Sequence, residues 1–184
     1  MSTITEIREQ LPTGTWQVDA THSQVGFAVE YLVGTFRGSF SPVEATLVVG
    51  DDGTVELTGS ANAENIKVQD ESLATHLLSP EFFDVEKTPE ISFTASNVEL
   101  SGKDVKASGE LTIKGITKPV ALTGTFADAI VDGYGNERIG LTLETVVDRT
   151  EFDLNWNLAL PTGEPALGND VTIASELFFV KAQA

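Results

Sequence analysis

The sequence lacks cysteine, is poor in basic residues and contains no long apolar run. Without cysteine the chain forms no disulfide, no thiolate nucleophile and no cysteine metal site. Its 11 basic residues are outnumbered by 28 acidic ones, which gives a formal net charge of -17. Because phosphate binding depends on clusters of Lys and Arg, we expect no nucleic-acid partner. The same charge disfavours contact with an anionic membrane surface.

The beginning of the sequence has no secretory pattern, since no basic segment precedes an apolar run of about 7 to 15 residues. Nor does any stretch of about 18 apolar residues occur. We therefore predict a cytoplasmic protein without stable membrane insertion. Residues 1–14 are interpreted as an N-terminal extension, in which residues 4–10 predict a short helix ended by Pro12 and Gly14.

From Trp16 onward, apolar and polar residues alternate with a period of two, which predicts strands with one apolar face. Turn-forming segments at residues 50–53, 101–103, 114–119 and 132–136 separate these strands and favour antiparallel hairpins. About eight strands follow from this pattern, and closing them into one sheet removes exposed edges. The favoured fold class is all-β, an eight-stranded antiparallel barrel over residues 15–184, with a β-sandwich as the alternative.

One segment departs from the alternation, the apolar stretch "SLATHLLSPEFFDVEKTPEISF" at residues 72–93. Asp70 is a candidate N-cap for a helix, and residues 79–81 carry a second helix-start signal, with proline in its first turn. The apolar face of the first helix consists of Leu73, Ala74, Leu77 and Leu78. We therefore predict two short helical pieces before Asp84, which cover an open end of the barrel.

Few residues have the character of catalytic or metal-binding groups. Asp19, His22 and Ser23 are the residue types of a hydrolase triad, but triad members usually come from separate segments. A hydrogen-bonded start of the first long strand is the favoured interpretation. Because His22 and His76 are the only histidines, we predict no metal site, and no glycine-rich phosphate loop is visible. We predict neither catalytic residues nor a catalytic cofactor.

The ten phenylalanines leave two interpretations open. Most of them are ordinary core residues if the barrel is packed. If the barrel is partly hollow, they line a cavity for one small apolar ligand, because phenylalanine offers no hydrogen-bonding group.

Five segments together resemble the YceI family of polyisoprenoid-binding proteins, from about Trp16 to Val180. They are "TWQVDATHSQVGFAVEYL", "GTFRGSF", "HLLSPEFFDVEKTPEISF", "GELTIKGITKPVALTGTF" and "DRTEFDLNW". The resemblance implies an extended lipocalin-like barrel with a helical insert covering one side, and a long apolar channel. It also implies a polyisoprenoid or similar ligand, links to isoprenoid quinones and stress responses, a homodimer, and no catalytic residues.

Our leading hypothesis is a non-enzymatic carrier that sequesters an isoprenoid quinone, a polyprenyl lipid or a similar long-chain amphiphile. The predicted ligand-binding residues are Phe27, Val29, Tyr31, Phe36, Phe40, His76, Leu77, Phe82, Phe83, Phe93, Leu111, Ile113, Phe126 and Leu143. For His76 the alternative is a hydrogen bond to a nearby strand carbonyl. The alternative functions are an enzyme acting on such a lipid and a packed structural module that works by dimerisation.

The chain departs from the family pattern at Leu73 and Ala74, where relatives commonly carry an arginine and an aspartate. An exposed ion pair contributes about 1 kcal/mol or less, whereas apolar burial contributes roughly 0.8 kcal/mol per CH₂ group. We therefore expect a small or uncharged head group, such as a quinone, to be tolerated at least as well as a pyrophosphate.

Overall fold

The computed structural model describes residues 11–183, which form eleven strands, one α-helix and two short 3-10 helices. The predicted helix at residues 4–10 lies outside the described residues. The strands are β1 (Gly14–Val18), β2 (Gln24–Tyr31), β3 (Gly34–Phe40), β4 (Glu44–Val49), β5 (Val55–Asn62), β6 (Ile66–Lys67), β7 (Glu90–Ser101), β8 (Asp104–Ile113), β9 (Ile116–Val131), β10 (Glu137–Asp148) and β11 (Leu167–Lys181). Helix α1 is Glu71–Leu78, and the 3-10 helices are Ala63–Asn65 and Arg149–Phe152.

Eight of these strands close into an antiparallel barrel, which confirms the predicted fold class. Their order is β1-β4-β5-β7-β8-β9-β10-β11, and β1 pairs with β11 to complete the circle. The apolar faces predicted from the alternation point inward, as for Leu111 and Ile113 of β8, both of which are buried.

The three remaining strands form an arm that the sequence pattern does not separate from the barrel. Strand β11 pairs with β1 near its C-terminal end, where Phe179 faces Val18, and with β2 earlier, where Ile173 faces Phe27. From β2 the sheet continues through β3 to β6. Among the described strands, β3 pairs with β2 and β6 and not with β4. The end at which β1 joins β4 to β11 is therefore closed by hydrogen bonds and is called the closed end. The end at which no ladder joins β3 to β4 is called the open end.

The closed end is filled by apolar side chains. Trp16 and Phe179 are 0% exposed, and Leu100 and Val105 are buried beside them in the same core. The void left among the side chains at this end is about 10 Å³, at the lower limit for holding one water molecule. This end is therefore an ordinary packed core.

Helix α1 begins as predicted, because the Asp70 side chain accepts a hydrogen bond from the Leu73 amide at 2.9 Å. The second predicted helical piece is wrong, since residues 80–83 form turns. The Phe82 amide donates to the Ser79 carbonyl at 3.0 Å, which forms a single turn. Asp84 has a φ of +49°, outside the right-handed helical region, so the chain does not continue as a helix.

The predicted turn at residues 114–119 is shorter in the structure. Lys114 and Gly115 both have positive φ and make a two-residue hairpin turn, so β9 begins at Ile116. Pro119 lies within β9 opposite Glu110 of β8. A proline fits there because the ladder between β9 and β10 begins only at Thr123, so no strand requires the missing N–H on that side.

Candidate ligand-binding site

The open end of the barrel contains an apolar cavity of about 480 Å³. It lies between strands β2 and β3 of the arm and the walls formed by β4, β5, β7, β8, β9, β10 and β11. This volume falls within the range of about 300–1,000 Å³ that is typical of small-molecule sites. Of the two interpretations of the phenylalanines, the partly hollow barrel is the one observed.

Thirteen of the fourteen residues predicted from the sequence border this cavity. They are Phe27, Val29, Tyr31, Phe36, Phe40, His76, Leu77, Phe82, Phe83, Phe93, Leu111, Ile113 and Leu143. Phe126 does not, because it lies in the packed end beside the small void. Its side chain has the inward orientation that the alternation predicts, but it lies too far along β9 to reach the cavity.

The wall formed by the arm depends on one glycine. Phe27 of β2 lies opposite Gly38 of β3, and a Cβ placed on Gly38 would come within 2.4 Å of the Phe27 ring. The missing side chain therefore makes room for the ring, which also lies 6.0 Å from the Phe36 ring between centroids. The aromatic lining of the arm continues to Phe40.

The open end is capped by an aromatic cluster. The His76 ring lies 4.9 Å from the Trp156 ring and 5.1 Å from the Phe82 ring, both in edge-on geometry. The imidazole of His76 is hydrogen-bonded to the Glu81 carboxylate through Nε2, and not to a strand carbonyl as the sequence-based alternative had it. Helix α1 and the turns that follow are thus joined to the segment after β10 over the cavity.

Lys114 strengthens this cap from the β8–β9 hairpin. Its Nζ donates to the Asp153 carbonyl at 2.8 Å and to the Pro80 carbonyl at 3.4 Å. The side chain is only 11% exposed, and the Asp153 carboxylate lies 3.5 Å away. Lys114 therefore connects the turns after helix α1, through Pro80, to the segment after β10, through Asp153.

Sequence reasoning missed many residues of the cavity wall, and one group of them lies together in "DRTEFDLNW". This segment contributes Arg149, Phe152, Leu154 and Trp156 to the cavity wall. These residues were not predicted to line a cavity, because the segment follows β10 without the alternation that identifies a wall-forming strand. Its mixed polarity offered no sign of an inward-facing arginine.

Arg149 is the charged residue most deeply placed in the wall, with 4% of its surface exposed. Its Nε donates to the Gly168 carbonyl at 2.8 Å, and its Nη1 donates to the carbonyls of Leu154 and Trp156. The Nη2 atom is buried and has no hydrogen-bond partner in the described part of the chain. Burial lowers the pKa of the guanidinium, and the neighbouring Asp148 carboxylate opposes this shift.

The three residues that resemble a triad do not form one. His22 Nδ1 is 2.7 Å from an Asp19 carboxylate oxygen, but the Ser23 hydroxyl accepts from the Phe178 amide at 2.9 Å. The hydrogen bond from His22 lowers the pKa of Asp19, a bond from Arg138 adds to this, and burial opposes both. These residues lie before β2 and away from the cavity lining.

At the position of the family's charged pair, Leu73 adds an apolar side chain to the cavity wall, and Ala74 is half-buried against the core.

Among residues 11–183, no group of three His, Asp or Glu side chains is arranged to hold a metal ion. In the same part of the chain, no helix has both the length and the apolar character needed to cross a membrane.

The fold and the site together define a lipocalin-like class of protein, a closed antiparallel barrel with an apolar interior cavity under a helical cap. Within this class the chain belongs to the YceI-like family, whose model matches residues 16–179. A UPF0312 protein of Staphylococcus aureus (strain USA300) is 28% identical over 165 residues, covering 88% of this chain and 94% of that protein. A UPF0312 protein of Pectobacterium atrosepticum is 29% identical over 148 residues, covering 76% of this chain and 74% of that one.

Solved structures share the same fold. BcnA of Burkholderia cenocepacia superposes with a TM-score of 0.74 at 17% identity, over 88% of this chain and 98% of that one. A polyisoprenoid binding domain from Saccharophagus degradans, implicated in plant cell wall breakdown, gives a TM-score of 0.66 at 12% identity, over 91% of this chain and 98% of that one. At these identities the likeness concerns the fold.

Proposed function

We propose that this protein is a non-enzymatic binding protein that sequesters a long-chain amphiphile, such as an isoprenoid quinone or a polyprenyl lipid, inside its barrel. The observation that carries the proposal is the continuous apolar cavity of about 480 Å³ beneath the aromatic cap. Membership of the YceI-like family and the polyisoprenoid binding domain among the structural neighbours support the same ligand class.

The energetics favour an apolar chain. Each buried CH₂ group contributes roughly 0.8 kcal/mol, so a chain of about twenty carbons gains on the order of 15 kcal/mol before costs. Losses of rotational, translational and chain freedom offset a large part of this gain. Apolar burial is therefore the main favourable contribution to binding, and it requires no reactive group.

The two alternatives have less support. An enzyme using Asp19, His22 and Ser23 lacks the serine-to-histidine hydrogen bond, since Ser23 is bonded to the Phe178 backbone. A packed structural module requires a filled interior, which is observed at the closed end but not beneath the cap. The cytoplasmic location, the homodimer and the link to stress responses stay predictions.

The test is uptake of menaquinone-4 by the purified protein, read from the quenching of Trp156 fluorescence. Trp156 borders the cavity, whereas Trp16 is fully buried in the packed end, so only one of the two tryptophans reports on the ligand. We expect saturable quenching that is largely lost in Trp156→Phe. Solvent extraction and mass spectrometry of the protein as isolated identify any lipid that it already carries.

A pair of neighbouring substitutions on β9 provides the control. Val120 borders the cavity and Ala121 faces solvent, so Val120→Phe reduces the uptake and Ala121→Phe leaves it unchanged. Absence of bound lipid together with absence of quinone uptake in the wild-type protein would refute the proposed function.

A further inference from the structure

Arg149 is an unusual side chain for the wall of an apolar cavity. A guanidinium has five N–H donors, and three of the Arg149 donors are satisfied by the backbone carbonyls of Gly168, Leu154 and Trp156. The two donors on Nη2 have no partner among residues 11–183. Leaving buried donors unsatisfied costs free energy, and the cost is larger when the group is charged.

The charge of Arg149 is also incompletely balanced. All three of its hydrogen-bond acceptors are neutral carbonyls, and no carboxylate lies within salt-bridge distance in the described part of the chain. The adjacent Asp148 carboxylate accepts instead from the Thr150 amide at 2.9 Å and from the Thr150 hydroxyl. A buried cation in this state is stabilised by an anion placed against the edge whose donors have no partner, here Nη2.

The rest of the cavity offers no comparable partner for an anion. His76, which borders the cavity and can also carry a positive charge, is already bonded to Glu81, and Lys114 of the cap donates to the carbonyls of Asp153 and Pro80. The other polar side chains that border the cavity are hydroxyls, such as those of Ser60, Thr145 and Ser175, the exposed carboxylate of Glu44 and the indole of Trp156, and none of them is cationic. The part of the wall formed by Arg149 is therefore chemically distinct from the apolar walls around it.

We propose that Arg149 holds the head group of the ligand inside the barrel, and that this head group carries an anionic oxygen, as in a carboxylate or a phosphate monoester. This inference rests on the proposed function, because it assigns one end of the same bound amphiphile. Nη1 and Nε are occupied, so the contact is end-on through Nη2. The Nη2 atom exposes less than 1 Å², so the oxygen reaches it only when a neighbouring wall side chain shifts.

Arg149 changes the head group that is expected from Leu73 and Ala74 alone. Those residues provide no charge at the insert, which by itself favours an uncharged head group. Arg149 provides a positive charge from the segment after β10 and therefore favours an anionic head group. Charge-assisted hydrogen bonds contribute about 1.5–3 kcal/mol, which corresponds to roughly a tenfold to hundredfold gain in affinity.

The experiment compares three probes that share one chain and differ in the head group, namely geranylgeranoic acid, geranylgeranyl monophosphate and geranylgeraniol. Their dissociation constants are measured on the wild-type protein by displacement of menaquinone-4, with the release read from Trp156 fluorescence. We expect at least one of the two anions to bind about tenfold tighter than the alcohol or better. A preference for one anion identifies carboxylate or phosphate as the natural head group.

Arg149→Gln removes the charge and is expected to abolish this preference while the alcohol still binds. Arg37→Gln is the matched control, because Arg37 is exposed on β3 and its loss changes the net charge equally. Melting curves show whether Arg149→Gln folds, and if it does not, the wild-type comparison decides alone. Equal affinities for acid, phosphate and alcohol would overturn the assignment of Arg149 and leave the proposed function intact, whereas no binding of any probe or of menaquinone-4 would overturn both.

Discussion

The two ends of the barrel share several strands and differ in what fills them. At the closed end β1 pairs with both β4 and β11, and its Trp16 side chain fills the interior. At the open end the arm takes the place of β1 beside β11, and about 480 Å³ of the interior stays empty. Leu57 and Leu143 stand at the boundary and contact both regions.

This difference shows that the cavity is a property of the strand pairing and not only of side-chain size. Both ends are lined by leucine, valine and phenylalanine. Since no ladder joins β3 to β4, the side chains of the arm are not held against the opposite wall as those of β1 are. Helix α1 and the aromatic cluster cover the space from outside without filling it.

The largest expected effect comes from truncating a phenylalanine at each end. Phe179→Ala should lower the free energy of unfolding by about 3–5 kcal/mol, because the residue is fully buried in a packed core and its removal leaves a new void. Phe93→Ala should cost clearly less, because the half-buried Phe93 ring already borders an empty space. Urea unfolding of both variants measures the difference. Equal losses would mean that the open end is as tightly packed as the closed one.

The opposite change, adding volume, sharpens the same comparison. Ala107→Leu on β8 inserts a larger side chain into the packed end and should destabilise the protein by about 1–3 kcal/mol. Ala61→Leu on β5 adds the same volume beside the cavity and should leave the stability nearly unchanged. It should also weaken menaquinone-4 binding, whereas Ala107→Leu should not. A large loss of stability in Ala61→Leu would contradict the hollow interior.

The alternation of the sequence was sufficient to predict the strands and to favour a barrel over a sandwich, because each strand needs one apolar face wherever it lies. Alternation identifies the face of a residue and not its depth along the barrel axis. Phe126 illustrates this, since it faces inward like Phe93 and yet lies in the packed end. The separation of the two ends depends on β11 pairing with both β1 and β2, which is a long-range choice that local pattern does not encode.

Arg149 was missed for a different physical reason. A cation is expected at the surface, and the sequence does not show that three backbone carbonyls from residues 154, 156 and 168 converge on this one. His76, Phe82 and Phe83 were found because an apolar insert in a β-rich chain must cover something. Clusters of like polarity are thus visible in the sequence, while a single polar group within an apolar wall is visible only in the structure.

The smallest effect concerns an ion-pair network at the outer rim of the closed end. This network makes part of the protein's stability depend on pH. Arg138 donates through Nη1 to Asp19 at 3.0 Å and through Nε to Asp132 in the β9–β10 turn. The hydrogen bond from Arg138 is the main reason that the pKa of Asp132 lies well below its usual value of 3.8. A carboxyl group with a lowered folded-state pKa stabilises the protein above its unfolded-state pKa, and this stabilisation is lost as the pH falls through the folded-state pKa.

Asp132→Asn should therefore lower the urea midpoint at about pH 7, and the difference from the wild type should shrink as the pH falls below about 4. Asp128→Asn is the matched control, because Asp128 pairs with Lys103 at an exposed site and 65% of its side chain is in contact with solvent. Its midpoint should follow the wild type throughout. If Asp132→Asn instead kept the same deficit at low pH, its effect would come from the lost turn hydrogen bonds to Tyr134 and Asn136 and not from charge.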